Sequence, residues 1–172
     1  MSSDNQLLVR VRWLIRSDML DVLRIEYQSF EFPWVDDDFL CCLRQRNCIG
    51  MVAEADWIDG TGVWRIVGFM IYELNKGWLE LLNFAVDPQF RRRGVGTQMV
   101  ERLVDKLGQQ RRTDITALVR ENNLGAQLFF RSCGFKATEV VPDAYDECVT
   151  EDGYLFRYHQ DQPDAVSPFR HR

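Results

Sequence analysis

The residues best suited to hold a charged ligand are Arg91-Arg92-Arg93-Gly94-Val95-Gly96-Thr97, a basic, glycine-bearing turn. It follows the apolar run Leu81-Leu82-Asn83-Phe84-Ala85-Val86 and the corner Asp87-Pro88. Pro88 ends the strand because it has no ladder donor, and Gly94 and Gly96 let backbone N–H groups approach a ligand with no Cβ in the way. Val95, Met99, Leu103 and Leu107 then recur at every fourth position with Val100 and Val104 beside them, which predicts an amphipathic helix over 94–108. Its N-terminus aims N–H groups and the positive end of the helix dipole at the turn. A pyrophosphate suits that arrangement.

Other chemistries are poorly served. A P-loop needs a lysine after its second glycine, and Thr97 follows Gly96; a dinucleotide loop needs a third glycine where Met99 stands. The five cysteines, at 41, 42, 48, 133 and 148, form no Cys-x-x-Cys pair and have no histidine nearby, and the two histidines are His159 and His171. The cysteines read as buried reduced thiols, so neither a disulfide framework nor a metal site is expected, and a cysteine or serine hydrolase lacks its partners.

These residues need a frame to position them. The 172 residues suit one domain over 1–159, with a loosely ordered tail over 160–172 that carries Pro163 and Pro168. With 46% hydrophobic and 27% charged residues the composition is that of a folded globular chain. The net charge of -5 leaves Arg91, Arg92 and Arg93 as a local positive spot on an acidic protein, which argues against a nucleic-acid partner. Residues 1–6 have no basic and apolar leader pattern and no run reaches membrane-spanning length, so a cytoplasmic protein with no membrane partner is expected. A strand over 7–15 comes first, then a helix capped by Asp18 that carries Leu20, Leu23, Ile25 and Tyr27, and a second helix from about Asp36. Strands over 49–55 and 63–74 are joined through the hairpin signal Asp59-Gly60-Thr61-Gly62, and a third strand over 78–86 follows Asn75-Lys76-Gly77. After helix 94–108 come a strand over 114–119, a helix over 123–133 closed by Gly134, and a β-rich stretch to about 159.

Arg91-x-x-Gly94-x-Gly96 after a strand and an Asp-Pro corner resembles the acetyl-CoA loop of the GNAT superfamily of N-acetyltransferases, and the element order resembles that fold over roughly residues 7–158. The segment Val119-Arg120-Glu121-Asn122-Asn123, with Leu128-Phe129-Phe130 and Gly134-Phe135 after it, resembles the family's second half. The resemblance implies an α/β (α+β) fold: a mixed, mostly antiparallel central sheet of about seven strands flanked by about four helices. It also implies acetyl-CoA as co-substrate, held by Arg91, Arg92, Arg93, Gly94, Val95, Gly96 and Thr97, by backbone at Phe84, Ala85 and Val86, and by Asn123 and Phe130. Asn123 also reads as an N-cap, and the two roles are compatible.

Phe32-Pro33-Trp34 after the first helix, with Tyr145 and the Asn83-to-Pro88 run, is similar to the RimI-type enzymes that acetylate protein N-termini. On that likeness Phe32, Pro33, Trp34 and Tyr145 wall a site for a peptide amine, in a monomer or a homodimer. Two alternatives stay open: transfer to a small amine, and a regulatory module that binds acetyl-CoA with little turnover.

The reaction needs an oriented acetyl group, a stabilised oxyanion, a deprotonated amine and a released thiolate. Backbone N–H groups near residues 84–86, where the family separates two parallel strands, would serve the first two. Glu80 is the expected base. It is the only acid in 78–86, a carboxylate among mostly apolar neighbours, and it matches the glutamate of the histone-acetyltransferase branch. The chain departs from the RimI pattern twice: Leu118 replaces a glutamate base and Phe130 replaces the tyrosine that protonates sulfur. Water, Tyr145 or Tyr72 is then the expected proton source, and a thiol of pKa about 8.5 leaves readily without one.

Overall fold

A computed structural model describes residues 7–56, 61–109, 111–146 and 150–161. In chain order they form β1 (Val9–Trp13), a 3₁₀ turn (Arg16–Asp18), α1 (Met19–Ser29), α2 (Asp36–Leu43), β2 (Cys48–Asp56), β3 (Trp64–Leu74) and β4 (Trp78–Val86). A second 3₁₀ turn (Pro88–Phe90), α3 (Val95–Gln109), β5 (Asp114–Arg120), α4 (Leu124–Ser132), β6 (Lys136–Asp146) and β7 (Thr150–His159) complete the order. One seven-stranded sheet runs β1-β2-β3-β4-β5-β7-β6. Among the described residues only β4 and β5 pair in parallel, with α3 as the crossover a parallel pair requires. The α/β architecture expected from the sequence is the one observed.

The helices cover both faces. Val95, Met99, Leu103 and Leu107 of α3 are all buried against Leu79, Leu81, Ile115 and Ala117, and Phe130 of α4 joins that core. On the other face Val22 and Ile25 of α1 and Phe39 of α2 pack on Val52, Phe69 and Ile71. A bulge in β4 decides which side chains reach which face. Tyr72 pairs with Leu81 and Ile71 with Asn83, leaving Leu82 as the extra residue. Leu79 and Leu81 before the bulge, and Phe84 and Val86 after it, therefore share the α3 face, while Leu82 and Ala85 join the α1 face.

The ladder between β4 and β5 is short. Trp78, Leu79, Glu80 and Leu81 pair with Asp114, Ile115, Thr116 and Ala117, and no pair follows. Beyond Leu81 the two strands separate, and the edges they turn toward one another carry no ladder bonds. That opening sits directly before the Asp87-Pro88 corner.

Some expectations need correction. Asp18 precedes α1 but makes no side-chain bond to it; its carboxylate accepts the Ile15 N–H at 2.8 Å and two bonds from Arg12 at 2.7 and 2.9 Å. The charged guanidinium, shared with Glu54 at 2.6 Å, is the stronger partner. Of the cysteines, Cys48 alone is buried among the described residues; Cys41 is exposed, and Cys42, half-buried, places its Sγ 2.9 Å from that of Cys48. Asp59 and Gly60 of the expected hairpin turn, Cys148, and the tail from residue 162 lie outside the described residues. Gln160 donates its N–H to the Thr113 carbonyl at 2.7 Å, so the chain is still tied to the sheet there. Among the described residues no helix is long and apolar enough to cross a membrane.

Gly134 closes α4 at φ +90°, with Phe135 N–H bonded to the Phe130 carbonyl at 3.0 Å and Gly134 N–H to that of Arg131 at 3.1 Å. An added Cβ would meet only ordinary contact with the Tyr158 ring at 3.5 Å, so the cost of a side chain here is conformational. Gly134→Ala is expected to lower unfolding free energy by about 1–2 kcal/mol in urea titration with an unchanged slope.

Candidate active site

The corner after β4 is fixed from two sides. Asp87 is 2% exposed; it accepts the Gln89 N–H at 3.0 Å and pairs with Arg24 of α1 at 2.8 Å. Arg91 donates from Nε to the Val86 carbonyl and from a terminal nitrogen to Ser29 Oγ, both at 3.1 Å. Its side chain therefore stitches the end of α1 to the end of β4, while the turn backbone continues with φ 58° at Arg92 and 77° at Gly94. The first bond closing α3 runs from Gln98 N–H to the Gly94 carbonyl, so the N–H groups of Val95, Gly96 and Thr97 have no acceptor within the helix. Gly96 has a second reason to be glycine, since a Cβ there would stand 3.0 Å from the Phe129 ring.

A cavity of about 700 Å³ opens over this helix end. It runs from Arg91, Arg92 and the 94–97 backbone, past Phe84, Ala85 and Val86, to Asn123, Ala126 and Phe130. The volume lies within the 300–1,000 Å³ typical of small-ligand sites. These residues fit acetyl-CoA: a bare helix N-terminus for the pyrophosphate, the separated edge of β4 for a pantetheine arm, and apolar walls toward its end. Arg93 belongs to the same loop, but its Nε is buried and has no hydrogen-bond partner among the described residues.

A second cavity of about 220 Å³ lies across the opening between β4 and β5. Phe32, Trp34, Leu82, Leu118 and Tyr145 wall it, and Glu26, Asn83 and Arg120 are among its polar lining. Phe30, Phe84, Asn123, Ala126 and Phe130 line both cavities, so the two meet where the strands part. Tyr145 donates to the Leu118 carbonyl at 3.1 Å, and its ring lies 3.9 Å below the Arg120 guanidinium, which also pairs with Glu151 at 3.2 Å. Trp34 packs edge-on against Phe39 with ring centres 5.3 Å apart.

The structure brings most of the sequence-expected residues together. Phe84, Ala85, Val86, Arg91, Arg92, Gly94, Val95, Gly96, Thr97, Asn123 and Phe130 line the larger cavity, whereas Arg93 does not. Asn123 also caps α4, accepting the Ala126 N–H at 3.1 Å. Phe32, Trp34 and Tyr145 line the smaller cavity, and Pro33 does not. Glu80 is not brought to either cavity. It stands in the paired part of β4, opposite Glu73 and Thr116, before the strands separate. Tyr72 is also remote: its hydroxyl donates to Met51 Sδ at 3.7 Å, and burial pushes its pKa up to about 12. Tyr145 lines the acceptor side only, away from the larger cavity where a thiolate would lie.

Glu26 is the residue that sequence reading misses. It is 1% exposed on α1, with Oε1 accepting the Trp34 N–H at 2.7 Å and Oε2 accepting from Asn83 Nδ2 at 3.0 Å. Desolvation raises its pKa above the usual carboxylate range, against the lowering effect of those two bonds. Its partners are 8 and 57 residues away, so no local pattern announces the site.

Comparison with known proteins agrees with this geometry. Residues 11–135 match the acetyltransferase (GNAT) family. A curated relative, the ribosomal protein bS18-alanine N-acetyltransferase of Salmonella typhimurium, is 29% identical over 132 residues, covering 77% of this chain and 84% of the relative. The crystal structure of the Escherichia coli ribosomal-protein-S18-alanine N-acetyltransferase superposes with a TM-score of 0.77 at 21% identity, over 94% of this chain and all of that one. Arabidopsis thaliana Naa50, solved with the bisubstrate analogue CoA-Ac-MVNAL, gives a TM-score of 0.71 at 17% identity over 87% of this chain and 97% of its own. The two structural likenesses establish the fold.

Acetyl-CoA is expected to raise the melting temperature, since a ligand of the folded state at 100 times its Kd adds about 2.7 kcal/mol. Thr97→Glu separates the helix from the ligand site. A carboxylate in the first turn of α3 favours the helix by about 0.3–1 kcal/mol, so the apo melting temperature holds or rises while the acetyl-CoA shift is lost. Undiminished protection of Thr97→Glu contradicts the placement.

Proposed function

The chain belongs to the GNAT acetyltransferase family and is an acetyl-CoA-dependent N-acyltransferase; from that premise we propose that its acceptor is the N-terminal amine of a protein or peptide. The observation that carries the proposal is the meeting of two cavities at Phe30, Phe84, Asn123, Ala126 and Phe130, one ending at a bare helix N-terminus and the other walled by the loop between α1 and α2. The acceptors named for the bS18-alanine enzymes and the peptide analogue on Naa50 support the same class. On this reading the catalytic unit is residues 1–159, and the reaction takes place in the cytoplasm, where ribosomal proteins and acetyl-CoA are available.

When bound, acetyl-CoA supplies the acetyl group and a thiolate leaving group. The chain's own residues set the geometry around it. The unpaired edge of β4 at residues 82–86 offers backbone N–H groups for the thioester oxygen, which side-chain substitution there leaves unchanged. Phe84, Phe129, Phe130 and Phe135 stack with neighbouring ring centres 5.1–5.9 Å apart and keep water from the junction. Phe32, Trp34 and Tyr145 hold the acceptor's first residues against that junction.

Free CoA released on incubation with a peptide panel and with small amines tests the acceptor class, and peptides are expected to be turned over. Trp34→Ala is expected to raise KM for the peptide severalfold and to leave the acetyl-CoA melting shift in place. Brisk turnover of a polyamine or similar small amine with none of any peptide overturns the proposal. Phe130→Tyr restores the hydroxyl common in relatives. It is expected to change kcat by less than about tenfold, because a thiol of pKa about 8.5 departs as the anion. A rise of about 100-fold or more, the range of general acid catalysis, would show that a missing proton donor limits the enzyme.

A further inference from the structure

The geometry points to Glu26 as the general base that deprotonates the acceptor amine, a role that rests on the amine-acetylation reading above. Glu26 is the only carboxylate among the residues lining the acceptor cavity, and neither Glu80 nor residue 118, a leucine, supplies one. Each Glu26 oxygen already accepts one bond, from Trp34 N–H at 2.7 Å and Asn83 Nδ2 at 3.0 Å. A carboxylate oxygen has two acceptor sites, so each retains one. The two donors also fix its place. Trp34 belongs to the acceptor wall and Asn83 to the part of β4 where it has left β5, so the carboxyl group stands between the acceptor and the separated strand.

Its surroundings suit a base. The charged and titratable groups that face it are Asp38 from α2 and, across the cavity, Arg120 of β5 and Tyr145 of β6. β3 and β4 present apolar side chains and Asn83. Loss of solvent dominates and disfavours the charged form, which moves the group toward the pH at which it can both hold and release a proton. The proton balance is complete. An acceptor ammonium gives one proton to the Glu26 carboxylate, directly or through one water, and the neutral nitrogen then attacks the thioester carbon. The C–N bond forms, the C–S bond breaks, and the electron pair leaves on sulfur. The nitrogen's second proton and the one on Glu26 pass to solvent.

Glu26→Gln is the test. The amide keeps the shape, its oxygen still accepts the Trp34 N–H, and a flip of the Asn83 amide restores the other bond, so the wall stands while the base is lost. With whichever amine the wild type acetylates, kcat near neutral pH is expected to fall by about 100-fold or more and the acidic limb of its pH profile to vanish. The acetyl-CoA melting shift is expected to persist, and Glu80→Gln is expected to retain the wild-type profile. A second readout needs no turnover. A carboxyl group whose folded pKa is raised binds more protons folded than unfolded, so wild-type stability should fall relative to Glu26→Gln as pH rises from the ordinary carboxylate value of 4.5 through the folded value. Wild-type kcat and an intact acidic limb in Glu26→Gln, or a stability difference independent of pH, overturns the assignment. Because any acceptor amine must lose its proton, turnover of small amines alone overturns the peptide reading and leaves this test standing. A wild type that acetylates no amine overturns both.

Discussion

The structure turns on the end of pairing between β4 and β5 after Leu81 and Ala117. An unpaired backbone edge inside a fold is costly unless a ligand or water satisfies it, since buried N–H and C=O groups are nearly always hydrogen-bonded. Here the edge is kept open by what is wedged on either side of it. Phe84, Phe129, Phe130 and Phe135 stack on the α3 and α4 side, and the Glu26, Asn83 and Trp34 network occupies the α1 side. The bulge at Leu82 lets one strand serve both, because it moves Phe84 to the first face and leaves Asn83 to bond Glu26 of α1 on the other. The opening is thus a consequence of packing on both faces, and two cavities follow from it.

The remaining architecture anchors the ends of that opening. Asp87 and Arg24 pin the corner after β4 to α1, and Arg91 ties Val86 to Ser29, so the turn leading into α3 has little freedom to move relative to the opening. Asn123 caps the helix that borders the other side. Ties of this kind, one half-buried ion pair and two hydrogen bonds from an exposed arginine, are weak evidence for stability, since desolvation and solvent offset their attraction. Their effect here is positional: they hold a helix N-terminus and a strand edge at one fixed separation, as an extended ligand that contacts both requires.

Much of this was legible in the sequence, and the parts that were not share a cause. Arg91-x-x-Gly94-x-Gly96 reads directly because its meaning is local: a strand, a corner, a turn and a helix in succession. Asn123 and Gly134 read for the same reason, as caps at the two ends of one helix. Glu80 stands out in the sequence as an acid in an apolar strand, whereas its place relative to the opening depends on where a ladder to a strand 36 positions later stops. Glu26 stayed hidden among the residues of an ordinary amphipathic helix, its burial decided by Asn83 far along the chain. Asp18 reads as a simple cap in the sequence because Arg12, shared with Glu54, is brought to it only by the pairing of β1 with β2.

The most direct measurement is an experimental structure of the protein with a bisubstrate analogue in which CoA is joined through its acetyl group to a peptide N-terminus. The pyrophosphate is expected at the backbone of residues 94–97, the linker between Phe84 and Phe130 at the opening, and the peptide nitrogen within hydrogen-bond reach of Glu26, directly or through one water. A peptide seated away from the Phe32, Trp34 and Tyr145 wall, or a linking nitrogen beside Glu80 with Glu26 remote, would contradict this placement.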